Sequence, residues 1–97
     1  MYTVAGTATY RKAYKKLIEQ DVLLKKRTIK TITQLAQDPF YPGLKTHKVQ
    51  TKSHGEKFAS RVTGDVRIIW DFSKDEIQLI YLYAIGRHSG KYRVYNK

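Results

Sequence analysis

Apolar positions change their spacing part-way along the chain, and that change predicts the architecture. Tyr2 and Val4 alternate with Thr3 and Ala5, the period of a short strand. Gly6 breaks the pattern, and Thr7 offers a hydroxyl suited to capping a helix. Tyr10, Ala13, Tyr14, Leu17 and Ile18 then recur at helical spacing as one stripe, with Arg11, Lys12, Lys15 and Lys16 largely off it. A second helix over about residues 22–37 places Val22, Ile29, Ile32, Leu35 and Ala36 on a similar face. Asp38 and Pro39 end it, because the residue before proline resists helical backbone geometry. Two helices joined by so few residues predict an antiparallel helical hairpin.

Residues 40–55 read as loop and edge structure, with turns at Pro42 and Gly43 and at Ser53, His54 and Gly55. The period then becomes two. Residues 57–63 and 66–72 are expected strands around a turn at Gly64 and Asp65, and residues 76–85 form another after Ser73, Lys74 and Asp75. In that last strand Ile77, Leu79, Tyr81, Tyr83 and Ile85 share one face and Gln78, Ile80, Leu82 and Ala84 the other, so it is expected to be central and covered on both sides. The expected fold is α+β: two N-terminal helices packed on a small, mainly antiparallel sheet of about four strands, in one domain over residues 1–97.

Charge changes the picture more than length does. A 97-residue chain buries only about 60–65% of its unfolded surface, which leaves no room for a large cofactor cavity. Nineteen Lys and Arg against eight Asp and Glu give a net charge of +11, which points to polyanionic partners. Cysteine is absent, so disulfides, thiolate zinc sites and cysteine nucleophiles are excluded. The longest apolar stretch is too short to span a bilayer and the N-terminus lacks a signal-peptide pattern, so a cytoplasmic location is expected. Basic residues gather on the helical pair, including Lys15, Lys16, Lys25 and Lys26, and at the chain end, where Arg87, Lys91 and Arg93 are interleaved with Tyr92 and Tyr95. Such side chains release counterions from phosphates, and the rings can stack on unpaired bases.

A sharper constellation follows. Arg61 and Arg67 flank the Gly64–Asp65 turn, and His88 and Tyr92 follow the last strand. Cleaving RNA without a metal needs an activated 2′-OH, stabilisation of the phosphorane charge and a proton for the leaving 5′-oxygen. Histidine exchanges protons near neutrality and arginine offers phosphate a planar fork. On spacing alone, Arg61 and Arg67 still read as surface cations and His88 as a loop residue, and nothing in the spacing of His47, His54 and His88 supports a metal site.

The strings LKTHKV, RVTGDVRIIW and IGRHSGKY, in that order and spacing, resemble the RelE superfamily of bacterial toxins, and within it the YafQ-type members. The likeness covers nearly the whole chain. It implies a RelE-like fold and a ribosome-dependent endoribonuclease that cuts mRNA in the A site, uses no metal or small-molecule cofactor, and is silenced by an acidic antitoxin protein. His88 matches the C-terminal catalytic histidine and Tyr92 the aromatic position four residues later. Asp65 matches an acidic residue before the third strand, His47 a histidine in the preceding loop, and Arg67 the arginine set against the scissile phosphate. Arg61 corresponds by position only, since YafQ-like members carry a histidine there. Phe58, Ala59 and Ser60 stand where RelE has paired lysines, so the general base is left between Asp65 and His47. Arg87 and Lys91 join Lys15, Lys16, Lys25 and Lys26 as expected RNA contacts, with the ribosome and mRNA as partners and no membrane. The rival readings are a ParE-like inhibitor of DNA gyrase without catalysis, and a basic RNA-binding module.

Overall fold

One threonine settles how the chain leaves its first strand. In the computed structural model, which describes residues 1–88 and 94–96, Thr7 Oγ1 accepts a hydrogen bond from Tyr10 N at 3.2 Å and donates to Leu82 O at 2.9 Å. Strand β1 (Thr3–Gly6) therefore stops where helix α1 (Ala8–Gln20) begins, and the cap is tied to the sheet. Helix α2 (Leu23–Gln37) follows, its start marked by Asp21 Oδ1 accepting from Leu23 N at 3.1 Å. A 3₁₀ turn (Pro42–Leu44) leads into β2 (His47–Thr51), β3 (Gly55–Arg61), β4 (Val66–Phe72) and β5 (Leu79–Arg87), and a second 3₁₀ turn spans Val94–Asn96. The sheet order is β1-β5-β4-β3-β2, antiparallel except for the parallel β1–β5 pair. No helix among the described residues is long and apolar enough to cross a membrane.

The architecture is the expected α+β one, with five strands rather than about four. The added strand is β2, an edge strand whose sequence, HKVQT, is mostly polar because solvent covers much of it. Helix α2 buries Leu24, Thr28, Thr31 and Leu35; of the expected stripe Leu35 is buried and Ile32 packs on the core, but Val22 and Ile29 are 79% and 53% exposed. The true stripe keeps helical spacing but contains two threonines, which an apolar pattern passes over. Strand β5 also differs. It starts at Leu79, because Ser73 Oγ accepts from Asp75 N at 3.2 Å and Glu76 N at 3.1 Å and extends the preceding turn, leaving Ile77 exposed. Ile69 pairs with Ala84 but Trp70 pairs with Leu82, so a bulge at Tyr83 changes the phase. Ile80, Leu82 and Ile85 consequently meet the helices, while Tyr83 packs on the opposite face with Ala84.

The main core lies between sheet and helices, around Tyr10, Leu24, Leu35, Ile68, Trp70, Ile80 and Leu82. A buried polar relay runs through it. Trp70 Nε1 donates to Ser60 Oγ at 2.7 Å, Ser60 and Thr46 hydroxyls meet at 2.6 Å, and Thr46 Oγ1 donates to Pro39 O at 2.7 Å. Each hydroxyl has one proton, so Ser60 must donate to Thr46, and the chain of donors is fully ordered. Ser60→Ala leaves the indole N–H without its acceptor and should cost about 1–3 kcal/mol in urea unfolding.

Tyr10 behaves oppositely. Its hydroxyl is buried without a partner among the described residues, and burial, with Tyr14 nearby, pushes its phenol well above the ordinary tyrosine value. A raised folded-state value means that folding favours the neutral phenol. That contribution is intact below the unfolded value of about 10 and is lost as pH rises past it. Tyr10→Phe should therefore flatten the alkaline loss of stability, as read from urea midpoints on either side of that pH.

Candidate active site

The site begins in the β3–β4 turn. Thr63 Oγ1 accepts from Asp65 N at 3.2 Å and Val66 N at 3.0 Å, which closes the turn on a side chain. Arg67, the second residue of β4, folds one arm of its guanidinium back over the turn, with Nη1 2.7 Å from Thr63 O and 3.2 Å from Gly64 O. The fork is thus held by backbone rather than by an acid. Directly across the ladder Arg67 pairs with Arg61. Like charges facing each other on neighbouring strands destabilise a sheet. Ion pairs among the described residues join Lys48 to Glu56, Lys57 to Asp71 and Arg87 to Asp65, and none includes Arg61 or Arg67. Two opposed arginines without such compensation suit an anion better than they suit folding.

The end of β5 is fastened to the same turn. Arg87 Nη1 lies 3.2 Å from Asp65 Oδ2, and the backbone N–H of His88 donates to Asp65 O. His88 is thereby placed beside the turn that carries Arg67. Its Nδ1 is 2.9 Å from the hydroxyl of Tyr95, with the two rings edge to face at 5.5 Å. Tyr95 sits in the second 3₁₀ turn, which is anchored by Val94 buried against Ala59, Ile69 and Ala84 and by Lys52 N donating to Tyr95 O at 3.1 Å. Burial raises the Tyr95 phenol above its ordinary value, and the nearby Arg67 only partly opposes this. The hydroxyl therefore stays protonated. It can donate to a neutral His88 or accept from the imidazolium, holding Nε2 outward in either state.

His47 opens β2 and pairs with Ala59, on the ladder beside Arg61. Its ring is exposed, with Nδ1 2.9 Å from Lys45 O. A carbonyl can only accept, so in the neutral ring Nδ1 carries the proton and Nε2 the lone pair. Across the neighbouring strands β2, β3 and β4 and past the end of β5, the order is His47, Arg61, Arg67 and His88 at one end of the sheet. Strands lie about 4.8 Å apart, so the two arginines sit between the two histidines. Asp65 is engaged by Arg87 in an exposed ion pair. Lys15 and Lys16 on α1 and Lys25 and Lys26 on α2 are exposed on the helical hairpin, away from this cluster in sequence and on other elements. Tyr92 and Lys91 lie outside the described residues. Tyr95, by contrast, is marked by the sequence only as a ring among the C-terminal cations, suited to stacking on a base, and not as the partner of His88. Among the described residues, no group of three His, Asp or Glu side chains is arranged to hold a metal ion.

Solved structures with the same arrangement are found across almost the full chain. The YoeB/ParE toxin from Agrobacterium tumefaciens superposes with a TM-score of 0.70 at 16% identity, covering 92% of this chain and 100% of that one. A toxin from Helicobacter pylori, described as metal-bound, gives 0.68 at 21% identity over 91% and 96%. YafQ from E. coli gives 0.61 at 18% identity over 90% and 93%. This is the RelE-like toxin fold. At these identities it is the fold that is shared, and it agrees with the resemblance carried by the three sequence strings. No protein-family model and no curated protein matches the sequence.

Proposed function

We propose that this RelE-like chain is the toxin of a toxin–antitoxin pair and acts in the cytoplasm as an endoribonuclease that cuts mRNA on the ribosome. The observation that carries this reading is the order His47, Arg61, Arg67, His88 across the sheet end, on the fold of YafQ. In-line cleavage requires a base and an acid on opposite sides of phosphorus, with positive charge between them. His47 Nε2 takes the proton of the ribose 2′-OH, and that oxygen bonds to phosphorus. Arg67, with Arg61, bears the negative charge of the phosphorane. The bond to the 5′-oxygen breaks as His88 Nε2 delivers its proton there, with Nδ1 steadied by Tyr95. The products are a 2′,3′-cyclic phosphate and a free 5′-OH, and the sequence of proton transfers needs no metal ion. His47 is the better base than Asp65, whose carboxylate is committed to Arg87. Asp65 instead fixes the position of His88.

An acidic antitoxin is the natural partner for a chain of net charge +11. One of the related structures is an E. coli toxin–antitoxin complex of YafQ with DinJ. The gyrase reading draws on the ParE half of the Agrobacterium toxin's name, but DNA-gyrase inhibition gives the His88–Tyr95 pair nothing to do. Inducing the protein in a bacterium and mapping new RNA ends separates the two. Cut mRNA bearing 2′,3′-cyclic phosphates is the expected result, and DNA breaks with intact mRNA would overturn it.

A further inference from the structure

Behind the catalytic row, on the side of the helices, an open groove of about 540 Å³ runs between α2 and the first 3₁₀ turn. Arg27, Lys30 and Arg61 line it together with Tyr41 and the polar side chain of Gln34. Arg27 also lines a neighbouring hollow of about 220 Å³ that reaches Arg87. Arg27 thus borders both hollows, the second of which also takes in Asp21 and the Asp65-paired Arg87, and no ion pair among the described residues neutralises Arg27, Lys30 or Arg61. Tyr41 is 47% exposed, and its ring lies so close to Gly43 that a Cβ there would meet Cε2 at 2.9 Å. Glycine is what lets the ring rest against the turn at the groove wall.

We infer that this groove is a subsite for single-stranded RNA next to the scissile phosphate, in which Arg27 and Lys30 hold a flanking phosphate and Tyr41 stacks on a base. The inference rests on the ribonuclease reading and extends it to residues outside the row. Arg61 connects the two places: it pairs with Arg67 across the ladder and also lines the groove. A strand whose phosphate lies on the arginine pair therefore meets the groove at Arg61. Its volume falls within the range of small-ligand sites, about 300–1,000 Å³, so it suits a nucleotide rather than a folded duplex. Alternating cation and aromatic side chains is the pattern that binds unpaired strands, because every base has a face to stack. An acidic peptide would use the same cations but would leave the exposed ring without a planar partner.

The test uses the full chain and a fluorescent hexaribonucleotide methylated at every 2′-oxygen, which binds but cannot be cut. Arg27→Ala/Lys30→Ala should weaken binding by about tenfold or more and flatten the log–log salt dependence by roughly 0.7, the contribution of one phosphate of a single strand. The charge-matched variant Lys48→Ala/Lys74→Ala should not. Tyr41→Ala should weaken binding of the hexamer by about fivefold or more while leaving inorganic polyphosphate binding unchanged, since only the former has bases to stack. Equal losses in the two double variants would overturn the inference. So would poly-glutamate binding as tightly as the hexamer with the same dependence on Arg27 and Lys30, which would mark an acidic protein as the occupant. Binding that follows the groove residues without any mRNA cleavage in cells would sink the ribonuclease reading and leave the RNA subsite standing; cleavage with groove-independent binding would do the reverse.

Discussion

His88→Ala is expected to abolish growth arrest and to lower mRNA cleavage by a hundredfold or more, within the range of about 10²–10⁴ that positioned acid–base groups contribute. The alkoxide leaving from phosphorus is a very poor leaving group without a proton, and the neighbouring Tyr95 phenol, raised by burial, is a poor acid to replace His88. His88 is exposed, and its packing partner is the edge of the Tyr95 ring, so its removal opens no core cavity. The variant should therefore unfold at the same urea concentration as the parent. Tyr95→Phe should act differently: it keeps the ring packing but loses the 2.9 Å hydrogen bond that orients the imidazole. Its cleavage should drop less than in His88→Ala, with the loss in the rate of the chemical step rather than in substrate affinity. A folded His88→Ala protein that still cleaves at the parental rate would remove His88 from the mechanism.

Which parts of this site the sequence could reveal follows from what each part depends on. The helices, their Thr7 and Asp38 boundaries and the β3–β4 hairpin rest on local chemistry, and the structure places them within two residues of expectation. The side-chain direction along β5 does not, because a single bulge opposite Ile69 and Trp70 reverses the face of every residue on one side of it. The sequence carries no local mark of that bulge. Arg61, Arg67 and His88 could be named as candidates from composition and family resemblance, but their order with His47 is a consequence of strand pairing. Tyr95 depends on still more: a 3₁₀ turn must fold back, bury Val94 on the sheet and deliver a hydroxyl to His88. Nor does the pattern of charges distinguish Arg87, which is paired with Asp65, from Arg61, which is in none of the ion pairs among the described residues.

The second large effect should come from the helical hairpin. Reversing Lys15, Lys16, Lys25 and Lys26 to glutamate is expected to weaken ribosome binding by about a hundredfold or more. Each phosphate that is no longer neutralised keeps its condensed counterions, and each new carboxylate repels the RNA. All four side chains are exposed on α1 and α2 and take no part in the ion pairs among the described residues, so the fold should tolerate the change. None of them belongs to the row from His47 to His88, and the chemistry of that row should persist. The reason to expect docking is that the row is sparse. Two histidines and two arginines can act on a phosphodiester already held in line, but they offer little with which to bend a flexible strand into that geometry. A ribosome-held mRNA arrives with that entropy already spent, and intramolecular positioning of this kind is worth about 7–11 kcal/mol of a reaction barrier. The deciding comparison is cleavage of one mRNA naked and on ribosomes, by the parent and by the four-fold variant. The parent should cut the ribosome-bound message far faster, and the variant should lose that advantage while its binding to ribosomes becomes nearly independent of salt. Equal rates on both substrates for the parent would show that the protein orients RNA unaided and that the basic hairpin serves another partner.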